Sequence, residues 1–398
     1  MRNSSWGNYN KLVLLAILFS VTGSGIVLFS ASGISMTPMR VIGMICMFLV
    51  VANTLKSHII PRSGVVILLL VVEMIVSTIL FSPNMVKGVT LLVDYLICIS
   101  IMVIIIQNIS SREDFKIGIL AFFSAFTITS LICVYEYITG NHISSNYTYG
   151  WSGDAYIYLV KAPTAFLYNP NNVGVLMVMT IPLLFLIPRL WGAQKRLVMF
   201  GLLVLDLFVI FMTGSRGAFL GGVLLIVLYV LFSENRLWIK VLFVALAVLI
   251  VALSKDFIIS QISYGGMISK GTISIFGEGD GGRKELIASA LSQVFHQNWL
   301  FGVGAGGVDM LIGMSVHNFI IEFLADFGII GILTLFTGLF GMVKALLSVS
   351  DRAVRKELIL FLLAFLMVMF IPPTIMTLHF VWVLVALVIS YTRLDDYE

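Results

Sequence analysis

The chain has 398 residues, of which 60% are hydrophobic and 11% charged; its mean hydropathy is +1.07 and its net charge +4. Soluble domains carry roughly 25% charged residues. A water-soluble globule is therefore excluded, lipid must be the solvent for most of the chain, and no nucleic-acid partner is expected.

A spanning helix needs about 20 apolar residues, and hydropathy gives about twelve such runs. They lie near 11–30, 36–55, 64–82, 88–107, 117–139, 172–188, 197–213, 217–233, 238–253, 317–342, 358–372 and 374–392. The first run resembles a signal peptide's apolar core. It lacks a small-residue cleavage site and another run follows at once, so it reads as a retained anchor. With the N-terminus inside, the 24 basic residues divide 16 to 8 in favour of the inner side. This bias follows the positive-inside rule and puts both termini in the cytoplasm. Cys46, Cys98 and Cys133 fall inside apolar runs without paired spacing and read as packing residues. The expected fold is an all-α polytopic membrane protein, a single integral membrane domain over 1–398. It has about 12 transmembrane helices and a long, partly helical outer loop between helices 9 and 10.

The inner connections, such as "KSHIIPR" and "SVSDRAVRKE", are short and basic and only set topology. Two outer connections are richer: 140–171 is crowded with Tyr, Asn and Gly, and 254–316 is the longest segment without a span. Long loops usually carry function, so 254–316 is expected to contribute to the active site. Within "RKELIASALSQVFH" (283–296), Leu286, Ile287, Ala290, Leu291, Val294 and Phe295 recur at helical spacing. That pattern predicts an amphipathic helix lying on the membrane surface or on the bundle.

Parity brings three reactive groups to the outer face. Arg216 sits in the turn "TGSRG" between the seventh and eighth runs, Arg283 in the long loop, and His317 with Asn318 at the start of the tenth run. Arginine stays ionised and binds phosphate bidentately, and a histidine near neutrality can take a proton. Gly214 and Gly217 flank Arg216 and would let a bulky anion approach the backbone. Bland alternatives stay open. Arg216 also fits an arginine snorkelling from a helix end, Arg283 a solvated loop charge, and His317 a helix-start residue bonded to a neighbour. By themselves these residues amount to an anionic ligand at the outer face.

The ordered set "TGSRGAFLG", "GGRKELIASAL", "NWLFGVGAGG" and "VHNFIIEFLADFGIIG" resembles the O-antigen ligase and polymerase superfamily, bacterial enzymes that move lipid-linked glycans outside the inner membrane. "FLYNPNNVGVLM" (166–177) resembles the Asn-Pro-Asn element that family carries before its sixth span. The likeness is strongest over 166–335; the first five runs fit by number and hydropathy alone. It implies inverting glycosyl transfer without metal or cofactor, from an undecaprenyl-diphosphate-linked glycan donor to a sugar hydroxyl acceptor on a lipid-linked repeat or on lipid A core. Carried onto this sequence, Arg216 and Arg283 hold the diphosphate, and His317 is the general base supported by Asn318. Ser215, Gly217, Asn171 and Glu322 complete the expected substrate-binding set. The implied setting is the bacterial cytoplasmic (inner) membrane, multi-pass, with the active site on the outer face. A chain-length regulator or a flippase is the expected protein partner. Polymerisation of O-antigen, capsule or exopolysaccharide repeats is preferred to ligation.

Acidic residues supply further candidates. Glu278 and Asp280 in "GEGDGG" have a spacing that could help bind a divalent cation, although a solvated pair is the plainer reading. Glu73, Asp94 and Asp206 are costly inside a span and default to functional hypotheses, Glu73 and Asp94 as partners of polar groups across the third and fourth spans. Glu322 and Asp326 fit either substrate orientation or pairing with a basic neighbour. His58, His142, His296 and His379 have no ligand spacing, so no metal site is expected. A flippase for lipid-linked sugars is the rival class, but such proteins tend to place charges near the midplane of two related halves, and no repeat is visible here.

Overall fold

The computed structural model describes residues 8–31, 34–57, 62–143, 162–232, 285–292, 296, 298–313, 315–316, 318–371 and 375–395. They are almost all helical. Helices α1 (Asn8–Thr22), α2 (Pro38–Ser57), α3 (Arg62–Phe81), α4 (Met85–Asn108), α5 (Arg112–Thr139) and α6 (Pro170–Leu184) come first. Then follow α7 (Ile187–Trp191), α8 (Arg196–Thr213), α9 (Arg216–Phe232), α10 (Gly307–Ile312), α11 (Phe319–Ser348), α12 (Arg352–Val368) and α13 (His379–Asp395). Among the described residues five helices are long and apolar enough to cross a membrane: α3, α4, α5, α8 with the short turn before it, and α11. Shorter apolar helices occupy Lys11–Thr22, Pro38–Thr54, Pro170–Leu184, Arg216–Phe232 and His379–Leu394. The run expected at 238–253 lies outside the described residues.

One expected run is shorter than its hydropathy. The first helix stops at Thr22, inside the run 11–30, and a small antiparallel hairpin of β1 (Phe29–Ala31) and β2 (Ile34–Met36) follows. The sequence "GSG" at 23–25 breaks the helix, and the alternating "FSA" and "ISM" suit a strand period instead. Ser30 and Ser35 lie opposite each other with their hydroxyls 3.0 Å apart.

The chain divides into two compact units. The first comprises 1–126, 283–350 and 372–398; the second comprises 127–282 and 351–371. In lipid, apolar burial gives little gain by itself, and close packing with internal polar contacts must hold helices together. The first unit is centred on α4, which packs against α2, α3 and α13, while α11 packs on α3. A Cβ at Gly43 of α2 would stand 2.1 Å from Ile97 of α4, so only glycine permits that approach. Across the same pair, Asp94 meets Arg40 of α2, not a partner on the third span. The guanidinium donates from Nε and Nη2 to the two carboxylate oxygens at 2.8 and 2.7 Å.

Helix α11 is broken at Gly328, whose φ of 62° is left-handed. A break inside a span would strand backbone groups in lipid. The glycine-rich return 298–307 takes them up. Val303 and Gly304 donate to the carbonyls of Ala325 and Asp326 at 3.0 and 2.8 Å, and Ile329 and Ile330 donate to Trp299 and Leu300 at 3.0 and 3.2 Å. Ser77 and Thr78 of α3 add side-chain contacts to Gly304 and Ala305 at 3.1 Å.

The second unit is centred on α6, which packs against α8, α9 and α12. Phe185 stacks on Tyr229 with ring centres 3.6 Å apart, and Arg189 donates to the buried Glu357 at 2.6 Å. Large apolar side chains such as Leu197, 82% exposed, point out of the protein, which lipid tolerates and water would not. Cys46, Cys98 and Cys133 are buried free thiols, in keeping with packing roles.

Candidate active site

The turn that carries Arg216 is built by its sequence. Helix α8 ends on Gly214 at φ 63°, a left-handed cap that glycine adopts without strain. Thr213 Oγ1 accepts the Ser215 N–H at 3.2 Å, and Ser215 is buried. The first in-helix bond of α9 runs from Phe219 N–H to the Ser215 carbonyl at 2.9 Å. The N–H groups before it therefore have no in-helix acceptor. Arg216 opens this helix and is exposed. Its guanidinium has no hydrogen bond or ion pair with another described residue. Gly217 does more than open the backbone: a Cβ there would lie 2.9 Å from Ile371, so its missing side chain also seats α12's C-terminal extension.

The Asn-Pro-Asn element lies beside this turn in the same unit. Asn169 caps α6, accepting the Asn171 N–H at 2.8 Å, and Pro170 fills the first turn, where its missing N–H costs nothing. Asn172 Nδ2 donates to the Leu167 carbonyl at 3.0 Å. A Cβ on Gly174 would stand 2.6 Å from Ala218 Cβ and 3.4 Å from Ser215 Cβ. The first turns of α6 and α9 are thus in direct contact. Both helices turn their positive ends toward this corner.

Asn318, Glu322 and Asp326 belong to the first unit. Arg283 and His317 themselves lie outside the described residues, as do Glu278 and Asp280. Residues 285–292 are helical, and Ile287 and Ala290 join an apolar cluster with Val303, Val308, Val316, Ala325 and Ile321. The predicted amphipathic helix thus rests on protein. Asn318 caps α11 by accepting the Ile321 N–H at 3.2 Å. Glu322, one turn on, is buried. Asp326 neither pairs with a base nor stands open to a ligand, for its carboxylate accepts the N–H groups of Gly306 at 2.7 Å and Val308 at 3.0 Å. It fixes the start of α10.

Sequence reasoning passed over two groups. Asp309 in α10 has a half-buried carboxyl, and burial pushes it up to about 6 despite a hydrogen bond from the Val316 backbone. Glu136 near the end of α5 is fully buried, accepting three backbone N–H groups with His142 Nδ1 3.3 Å away. No local motif marks either one; Glu136 draws its partners both from residues 142–143 and from 164–165 further along the chain. Glu73 and Asp206 are buried with carboxylates that have no hydrogen-bond partner among the described residues. No group of three or more His, Cys, Asp or Glu side chains is gathered for a metal ion among the described residues.

Residues 201–336 match the family Wzy_C, described as O-antigen ligase. That segment starts in α8 and takes in the Arg216 turn, the long loop and the Asn318 cap. Residues 201–336 are O-antigen ligase-like. A relative, the teichuronic acid biosynthesis protein TuaE of Bacillus subtilis (strain 168), is 26% identical over 337 residues, covering 76% of this chain and 67% of that protein. The O-antigen ligase/polymerase-like resemblance read from the motifs therefore holds. The Asn169–Asn172 element stands just before the O-antigen ligase-like segment and packs against it through Gly174.

Proposed function

We propose that the protein polymerises undecaprenyl-diphosphate-linked oligosaccharide repeats of an O-antigen, capsule or exopolysaccharide. The acceptor sugar's hydroxyl oxygen attacks the anomeric carbon of the donor glycan, and the bond from that carbon to the diphosphate oxygen breaks with inversion. His317 takes the hydroxyl proton, and undecaprenyl diphosphate departs with the bonding electrons. Arg216 and Arg283 stabilise the charge that grows on the diphosphate, a transition-state effect that requires no metal. Ser215, Gly217, Asn171, Asn318 and Glu322 line the substrates.

The observation that carries this reading is Arg216: an exposed guanidinium without a described partner, fixed at a helix start whose N–H groups also favour an anion, inside the O-antigen ligase-like segment. A snorkelling arginine would need no such rigid turn. The positive-inside count supports an outer active face with both termini cytoplasmic, about twelve crossings and one integral domain in the bacterial cytoplasmic membrane. A chain-length regulator or flippase is the partner such a reaction calls for.

The relative is named for teichuronic acid biosynthesis, which favours glycan building over transport; polymerase stands ahead of ligase because the sequence carries no feature specific to lipid A. The test is a gene deletion complemented with wild type or Arg216→Ala, with surface glycans run on a gel. A polymerase predicts a ladder collapsed to one repeat in the deletion and in Arg216→Ala. An intact ladder retained on the carrier means ligase, and donor accumulating on the inner leaflet means flippase.

A further inference from the structure

Buried carboxylates are tolerated when their oxygens are fully hydrogen-bonded, and Glu136 meets that condition in an unusual place. Its Oε1 accepts the Ile143 N–H at 2.9 Å, and its Oε2 accepts the N–H groups of Thr164 and Ala165 at 2.8 Å each. His142 Nδ1 lies 3.3 Å from Oε2 and 3.4 Å from Thr164 Oγ1. One side chain therefore ties the end of α5 to a segment 28 residues further on.

That segment is strained. Ala165 and Tyr168 are non-glycine residues at φ 44° and 59°, and such backbone persists only where its surroundings over-determine it. Glu136 supplies the constraint at Ala165. From there the contacts run without a gap. Leu167 N–H donates to the Thr164 carbonyl at 2.8 Å, and Asn169 N–H donates to the Leu167 carbonyl at 2.7 Å. Asn172 binds that same carbonyl, and Asn169 caps α6. One turn later Gly174 abuts Ser215 and Ala218. At such spacing a shift of α6 must move the Arg216 turn.

We propose that Glu136 is a positioning residue for Arg216, acting through the 162–169 loop and the start of α6 to hold the guanidinium where it meets the lipid diphosphate. The proposal rests on the function proposed above for Arg216. It gives the buried carboxylate a purpose that stability alone does not require, since an apolar residue in a relaxed loop would serve stability as well.

The test is a double-mutant cycle on the full chain in lipid nanodiscs, with radiolabelled undecaprenyl diphosphate as the probe. Glu136→Gln keeps the shape but turns one acceptor into a donor facing N–H groups. It is expected to weaken binding by the folded protein on the order of 10- to 100-fold, as small misplacements of binding groups do, while the unpaired buried donor lowers the melting temperature by the same amount in both backgrounds. In the Arg216→Ala background the same change is expected to cost almost nothing, since the effect passes through Arg216. If Glu136→Gln weakens binding equally in both backgrounds, or in neither, the residue is only a loop anchor and the proposal falls. If Arg216→Ala itself binds the probe like wild type, the reading of Arg216 fails and this inference fails with it. Should Glu136→Gln not fold, Glu136→Asp, which keeps the charge with a shorter reach, takes its place with the same expectations.

Discussion

Arg40 of α2 grips both carboxylate oxygens of Asp94 of α4, at 2.8 and 2.7 Å. Their side chains keep only 22% and 10% exposure. Removing one partner strands the other charge. Arg40→Ala or Asp94→Asn is expected to cost on the order of 3 kcal/mol, while the apolar double replacement Arg40→Met with Asp94→Leu recovers most of it. Thermal melting in detergent checks this, and a double variant no better than the singles would refute it.

Gly302 and Gly328 are fitted to each other's strands of backbone. A Cβ on Gly302 would lie 2.4 Å from the Asp326 carbonyl carbon, and one on Gly328 would lie 2.2 Å from the Leu300 oxygen, with both residues at left-handed φ. Either alanine variant is expected to lose at least about 2–3 kcal/mol from conformational strain alone. Gly338→Ala, in the same long helix with open space around its Cβ, should be neutral or slightly stabilising. Yields of monodisperse protein after detergent extraction separate the two classes.

The carboxyl of Asp309 carries a pH dependence. Its ordinary value of 3.8 is raised to about 6, chiefly by burial. Between these values the folded protein holds a proton that the unfolded chain has released, so stability is highest below pH 3.8 and is lost as pH rises to about 6. Melting temperatures taken across that window should fall for wild type, and Asp309→Asn should flatten this part of the decline. A variant with an undiminished slope would assign the dependence to another group.

Topology is open to direct labelling because the native cysteines are silent. Cys46, Cys98 and Cys133 are fully buried, so a membrane-impermeant maleimide should leave intact cells carrying the wild-type protein unmarked. On the proposed topology the exposed Asn141, as Asn141→Cys, should label from outside, whereas the exposed Gln194, as Gln194→Cys, should label only after permeabilisation. The reverse pattern would remove the outer-face active site altogether.

The sequence alone determined the solvent, the helical class and the O-antigen ligase-like resemblance, because all three are written in composition, apolar run length and short ordered motifs. It also located Arg216 in a tight glycine turn, and Gly214 at φ 63° bears that out. It misjudged the first run, since hydropathy counts apolar residues without asking whether "GSG" lets a helix continue. Tertiary structure decided what local pattern cannot carry. Asp94 took its partner from α2, Asp326 spent its carboxylate on backbone N–H groups of the glycine return, and Glu136 closed on a loop far along the chain. A buried charge in lipid is settled by whichever donors arrive in space, and those donors are distant in sequence.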